Sequence, residues 1–234
     1  MSNPLLILLP GMDGTGDLFE RLLHDVTSSH ERLVLTYSSD QSESYDELLQ
    51  RLEQTIPVDR DVVLIAESFS GPLAVRFAAA HPDRVKALVL CATFIASPIP
   101  RWMLRLAKAP LFRFSPPSIV LRWLLLNGSH SCSIDKVQEA IARVSPSVLA
   151  NRVRQLAEVD CTHALASCTM PVLYLQATRD RLVWRHCGDA ILKSRPDTDV
   201  VKIEGPHLLL QACPGECWQV INRFLIDKGV FSRP

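Results

Sequence analysis

The sequence carries no excess of charge of either sign: 25 lysines and arginines balance 25 aspartates and glutamates. A chain without net charge has no global attraction for a polyanion, which disfavours nucleic-acid binding, although local patches can still be charged. It lacks any apolar run of the ~18 residues needed to cross a bilayer. The nearest run, "IVLRWLLL", is broken by Arg122, so no stable membrane insertion is expected. The chain opens "MSNPLLILLPG", with no basic region ahead of its short apolar run, and that run reads as a strand and not a signal peptide. The cysteines (Cys91, Cys132, Cys161, Cys168, Cys187, Cys213 and Cys217) are odd in number and form no C-x-x-C pair. They read as reduced thiols, and a soluble cytoplasmic protein is the expectation. Cys213 and Cys217 could share a helical face near His207, but they complete no metal-ligand spacing. No metal site is expected. Internal repeats and low-complexity tracts are absent too. So are both glycines of the G-x-S-x-G signature that usually surrounds a nucleophilic serine.

What is present is a chain of 234 residues with 47% hydrophobic and 21% charged residues, enough for one substantial packed domain with room for an inserted subdomain. Six short runs rich in β-formers stand out: Leu5 to Leu9, Arg32 to Tyr37, Asp61 to Glu67, Val85 to Ala92, Pro171 to Ala177 and Asp199 to Gly205. They are nearly continuous in apolar character, as strands of a parallel sheet are when helices cover both faces. Helical patterns fall between them at Leu18 to Val26, Tyr45 to Gln54, Ser70 to Ala80, His186 to Lys193 and Glu216 to Asp227. This alternation predicts an α/β protein with a doubly wound, mostly parallel sheet of about six strands. It breaks once. Residues 96–170 contain four helical patterns (100–109, 118–126, 134–144 and 146–157) and no convincing strand. The expected division is a core of residues 1–95 and 171–234 with a helical cap, 96–170, inserted before the fifth strand.

Open α/β sheets place their sites at the carboxyl ends of the strands, and three residues fall there. "LIAESFSGPLA" puts Ser68 on a turn from the third strand into a helix. Such a turn needs small residues two positions either side, and Ala66 and Ser70 are small. Ser70, inside the first helical turn, is expected to cap the helix. "QATRDRLV" puts Asp180 just past the fifth strand, and "EGPHLLLQ" puts His207 just past the sixth. A serine hydroxyl becomes nucleophilic near neutral pH when a histidine takes its proton, and that histidine needs a carboxylate to fix its tautomer. Each residue alone has a plainer structural reading. Together, in the order Ser, Asp, His and each at its own strand end, they read as a catalytic triad. His186 is the rival base but falls inside the next helix, and His81 ends the helix after Ser68. Asp13 and Asp17 read chiefly as turn and cap residues of "DGTGD". Glu67, beside the serine, is unexplained: its carboxylate could orient the loop after the first strand or hydrogen-bond nearby backbone.

With these motifs the chain resembles the α/β-hydrolase superfamily over nearly its full length. The loop "LPGMDGTG" matches the family's His-Gly-x oxyanion loop as Pro10-Gly11-Met12, with proline in place of histidine. The resemblance implies that the backbone N–H groups of Met12 and Phe69 form an oxyanion hole and that the helical insertion is the family's cap. The "PGMDGTG" and "ESFSG" pair also resembles a branch that includes acyltransferase-like plant plastid proteins. The expected function is hydrolysis of carboxylic esters of small to medium, largely apolar acids through an acyl-enzyme. No cofactor is expected, and the partner is a small-molecule ester. Acyltransferase or thioesterase chemistry on the same triad is the alternative, with a non-catalytic ligand-binding protein behind it. Within the cap, Arg101, Arg105, Lys108, Arg113 and Arg122 are interleaved with Trp102, Met103, Leu104, Phe112, Phe114 and Trp123, and no acid precedes Asp135. Asp13, Trp102, Phe112 and Trp123 are substrate-contact candidates. The apolar cap residues are expected to pack on the core, with weak interfacial contact of the cap at a membrane as a further reading. The chain could be a monomer or a homodimer.

Overall fold

The computed structural model describes residues 3–26, 30–113, 117–127 and 133–232; Phe114 and Cys132 lie outside them. Its centre is one six-stranded sheet of β1 (Leu5–Leu9), β2 (Arg32–Val34), β3 (Val62–Glu67), β4 (Val85–Cys91), β5 (Val172–Ala177) and β6 (Asp199–Ile203). The spatial order is β2-β1-β3-β4-β5-β6, and every neighbouring pair is parallel. Alternation along each strand divides the core in two. Leu5, Ile7, Leu9, Leu64 and Ala66 face one buried cluster with helices Tyr45–Thr55 and Gly71–Ala80. Leu6, Leu8, Val63 and Ile65 face the other, under helix Pro214–Asp227. Both faces are covered, which is why the strands read as unbroken apolar runs.

The structure trims several expected elements. The second strand ends at Val34, not Tyr37, because the chain leaves the edge to return over β1: Tyr37 N–H donates to Gly14 O at 2.8 Å. The sixth ends at Ile203, where the sequence turns to Gly205-Pro206. The helix expected over 18–26 is a 3-10 turn, Asp17–Phe19, followed by Glu20–Asp25. Leu209–Ala212 and Thr162–Ser167 are short helices with no clear sequence pattern.

Between β4 and β5 the described residues form no named strand. Helices Arg101–Arg105, Ser118–Leu125, Ile134–Ala142 and Pro146–Gln155 follow one another there, with the 3-10 turn Ala109–Phe112 after the first. The insertion is pinched at its base by an isolated antiparallel bridge between Ala96 and Asp160. Ser97 N–H donates to Val159 O at 3.1 Å and Cys161 N–H to Ile95 O at 2.7 Å. Beyond this pinch, Cys161, Leu165 and Cys168 are buried in the main core cluster, as are Leu104, Leu156, Ala157 and Val159 before it.

Candidate active site

β3 delivers Ser68 on a sharp turn with φ +49°, a left-handed conformation uncommon outside glycine. Surrounding bonds hold it. The Thr93 hydroxyl, just past β4, donates to Ser68 O. Gly71 sits so close to that threonine that a Cβ there would lie 2.0 Å from Thr93 Oγ1. The indispensable glycine of this turn is therefore three residues after the serine. Ser70 occupies the usual glycine slot with a role of its own. It makes no capping bond to the helix, contrary to expectation, because its hydroxyl donates to Pro10 O. Tyr37 Oη, 2.5 Å away, then serves as donor to Ser70 Oγ. This chain of bonds ties the loop after β1 to the turn carrying Ser68.

Ser68 Oγ lies 2.9 Å from His207 Nε2, and His207 Nδ1 lies 2.8 Å from Asp180 Oδ2. An ionised carboxylate only accepts, so Nδ1 carries the hydrogen and Nε2 is left to accept the serine proton. Asp180 is itself fixed: its Oδ1 accepts from Leu182 N–H at 2.8 Å and Val183 N–H at 2.9 Å. Both side chains are almost wholly buried. Burial pulls the His207 pKa down, but the charge and hydrogen bond of Asp180, with help from Glu67, outweigh it and raise the imidazole above its ordinary value. His186 makes a close contact with Cys187 instead, and His81 pairs with Glu53 at 3.2 Å.

Glu67 is 2% exposed, and its Oε2 accepts from Gln211 Nε2 at 2.9 Å. Burial pushes its carboxyl up to about 7, against the opposing pull of that bond and of His207. Gln211 stands one helical turn after His207, so the bond joins the residue before the serine to the segment that carries the histidine. Cys213 and Cys217 hydrogen-bond to the carbonyls of Glu204 and Leu209, and the six described cysteines are free thiols.

Ser68, Glu67 and His207 open into a cavity of about 270 Å³. Gly11, Met12 and Asp13 form one wall, and Phe112, Leu121, Leu125, Val137, Ile141 and Leu149 of the insertion form the roof. A larger depression of about 490 Å³ lies beyond Asp180, lined by Gln176, Asp189 and Lys202, and contains neither Ser68 nor His207. Ser68 and His207 thus share the smaller, apolar one. Of the substrate-contact candidates, Asp13 and Phe112 line this cavity, while Trp102 and Trp123 are 67% and 56% exposed and do not. Their bulk faces outward. Asp13 also shapes its turn, accepting from Thr15 N–H at 3.0 Å and Thr15 Oγ1 at 2.7 Å. Asp17 pairs with Arg143. Phe69 is buried, stacked on Tyr45, whose hydroxyl donates to Phe69 O at 2.8 Å.

Sequence reading missed Arg152. It is 3% exposed and reaches from helix Pro146–Gln155 to the loop after β1, donating to Met12 O at 2.7 Å, Asp13 O at 3.1 Å and Ser38 O at 2.7 Å. Gly14, at φ +68°, makes room for it: a Cβ there would lie 2.9 Å from Arg152 Nη1. An arginine among solvated helix residues carries no sequence signal of such a destination.

A six-stranded parallel sheet with helices on both faces, with hydrogen-bonded Ser68, His207 and Asp180 at the carboxyl ends of β3, β6 and β5, has the α/β-hydrolase arrangement. The model of the family described as serine aminopeptidase, S33, matches residues 27–207, and the chain belongs to that family. No curated protein matches it. Among solved structures, a thermophilic esterase from Thermogutta terrifontis superposes with a TM-score of 0.80 at 20% identity, over 97% of this chain and 91% of that one. MenH from S. aureus does so at 0.77 and 17%, over 98% and 96%. A bacterial membrane phospholipase A does so at 0.78 and 20%, over 99% and 80%. At these identities the likeness is one of fold.

Proposed function

We propose that this α/β-hydrolase cleaves carboxylic esters of small to medium, largely apolar acids through an acyl-enzyme on Ser68. The observation that carries the reading is the unbroken hydrogen-bond relay from Ser68 through His207 to Asp180, opening into an apolar cavity. Ser68 Oγ attacks the ester carbonyl while His207 Nε2 takes its proton, and Asp180 stabilises the imidazolium. The carbonyl oxygen, now negative, is held by the N–H groups of Met12 and Phe69, in a site that the Arg152 and Ser70 bonds keep rigid. His207 then protonates the leaving alkoxide. A water enters, gives its proton to His207 and attacks the acyl carbon, releasing the acid and restoring Ser68. The inserted helices serve as a cap whose inner face binds the acyl chain. A volume just under the ~300–1,000 Å³ typical of drug-sized ligand pockets fits a short or medium chain better than a long one.

A fluorophosphonate probe is expected to label wild-type protein on Ser68 and to leave Ser68→Ala unlabelled. Absence of labelling of the folded wild type near neutral pH would sink the proposal. A series of p-nitrophenyl esters of rising acyl length is expected to peak in kcat/KM at short to medium chains. Product analysis with and without an added alcohol separates hydrolysis from acyl transfer, because an acyltransferase forms the new ester at the expense of the acid.

A further inference from the structure

Apolar residues on a cap are expected to pack inward, yet most of the large exposed hydrophobic side chains of this protein lie there. Leu111 is 69% exposed and Ile119 74% exposed, and Trp102, Met103, Leu106, Val120 and Trp123 are exposed with them. Helix Ser118–Leu125 is apolar on both sides: Leu121, Leu124 and Leu125 line the cavity above Ser68, while Ile119, Val120 and Trp123 face out. Solvent alone gives no reason for that outer face.

The exposed residues are joined across the surface. Arg181 stacks on the Trp123 ring at 4.0 Å and donates to Trp123 O at 2.8 Å. Trp184 Nε1 donates to Arg181 O at 3.2 Å. Exposed Trp184 in turn shares a shallow cleft with Pro98 and Arg101, next to Trp102. The charge along this belt is mostly positive. Arg101, Lys108 and Arg113 are exposed and residues 98–134 contain no acid; at the edge of the belt Glu158 pairs with Arg105, and Glu158 and Asp160 both lie near Arg101.

We infer that this face of the cap is a docking surface for an anionic lipid bilayer. Lysine and arginine meet the headgroup charge, tryptophan sits at headgroup depth, and the aliphatic side chains enter the acyl boundary. A second copy of the chain fits less well, because an isologous contact would set the same basic patch against itself. A nucleic acid would use the cations and tryptophans but has no use for exposed Leu111, Ile119 and Val120. Docking would leave the acyl cavity one helix thickness, about 10 Å, from the lipid. The surface is defined without reference to catalysis, so its test needs no substrate.

The experiment is co-sedimentation of the full chain with phosphatidylcholine vesicles, with and without phosphatidylglycerol, together with tryptophan emission. Binding and a blue shift are expected with the anionic vesicles only, weakening as salt is added. Arg101→Gln with Lys108→Gln and Arg113→Gln is expected to weaken binding on the order of 100-fold. Ile119→Ser with Leu111→Ser is expected to abolish the blue shift. Both variants should hydrolyse a soluble short ester at the wild-type rate, so loss of docking and loss of hydrolysis are told apart. Three outcomes would overturn the inference: no binding to anionic vesicles, equal binding to neutral ones, or tighter binding to a single-stranded oligonucleotide. A stable dimer by light scattering, together with no vesicle binding, would assign the face to a second copy instead.

Discussion

Replacing Glu67 with glutamine is expected to stabilise the protein, and by an amount that depends on pH. The carboxyl is lifted from an ordinary 4.5 to about 7 by burial, among His207, Asp13, Cys91, Cys217 and Gln211. Between these two values the folded state binds more proton than the unfolded chain, so stability falls as pH rises through that window and stays lower above it. At about 1.4 kcal/mol for each pH unit, the ionised carboxylate costs the fold about 3 kcal/mol above pH 7. Glutamine has the shape of the protonated acid and never ionises. Its amide can also donate to Gln211 Oε1, which has no partner among the described residues. Urea unfolding of both proteins at about pH 5 and about pH 8 reads the effect, because titrating groups not coupled to Glu67 cancel in the difference, and His207, which is coupled to it, contributes the remainder. Glu67→Gln should exceed the wild type by about 3 kcal/mol at the higher pH and by much less at the lower one. A difference that does not change with pH would refute the argument. Activity should move the other way: ionised Glu67 favours the His207 imidazolium, so its loss should lower kcat and shift the acid limb of the pH profile to lower pH.

Wild-type kcat/KM for an ester should rise through an acid limb lying above pH 6.5, because the base must be neutral and its pKa is raised; Asp180→Asn should cut kcat by about 10³–10⁴ with little loss of stability. Ser70→Gly, which restores the usual signature, should cost about 1–3 kcal/mol in chemical denaturation, since it strips buried Tyr37 and Pro10 O of their partner. Arg152→Lys keeps the charge but cannot span three carbonyls at once. A loop displacement of about 1 Å at Met12 should lower kcat by up to about 100-fold while KM changes little, and steady-state kinetics reads that split.

The parts of this protein that were readable from its sequence are those in which chemistry and position coincide on one residue. A strand buried on both faces must be apolar throughout, so all six announced themselves. The meeting of Ser68, Asp180 and His207 could likewise be expected from their places after the third, fifth and sixth strands, and they are hydrogen-bonded there. What stayed hidden depends on pairs distant in the chain. Glu67 acquires meaning only from Gln211, 144 residues later, and Arg152 only from carbonyls about 140 residues earlier. Trp102 and Trp123 show the same limit in reverse: an aromatic amid basic residues can line a pocket or face away from it, and local pattern is identical in both cases. Ala66 is small and fully buried at the serine turn, yet at Ser70 the hydroxyl matters more than the volume. Its bond to Pro10 O joins the turn that carries Ser68 to the loop proposed to hold the oxyanion. The missing glycine is thus compensated twice: Gly71 supplies the close approach to Thr93, and Ser70 supplies a tether that glycine could not make.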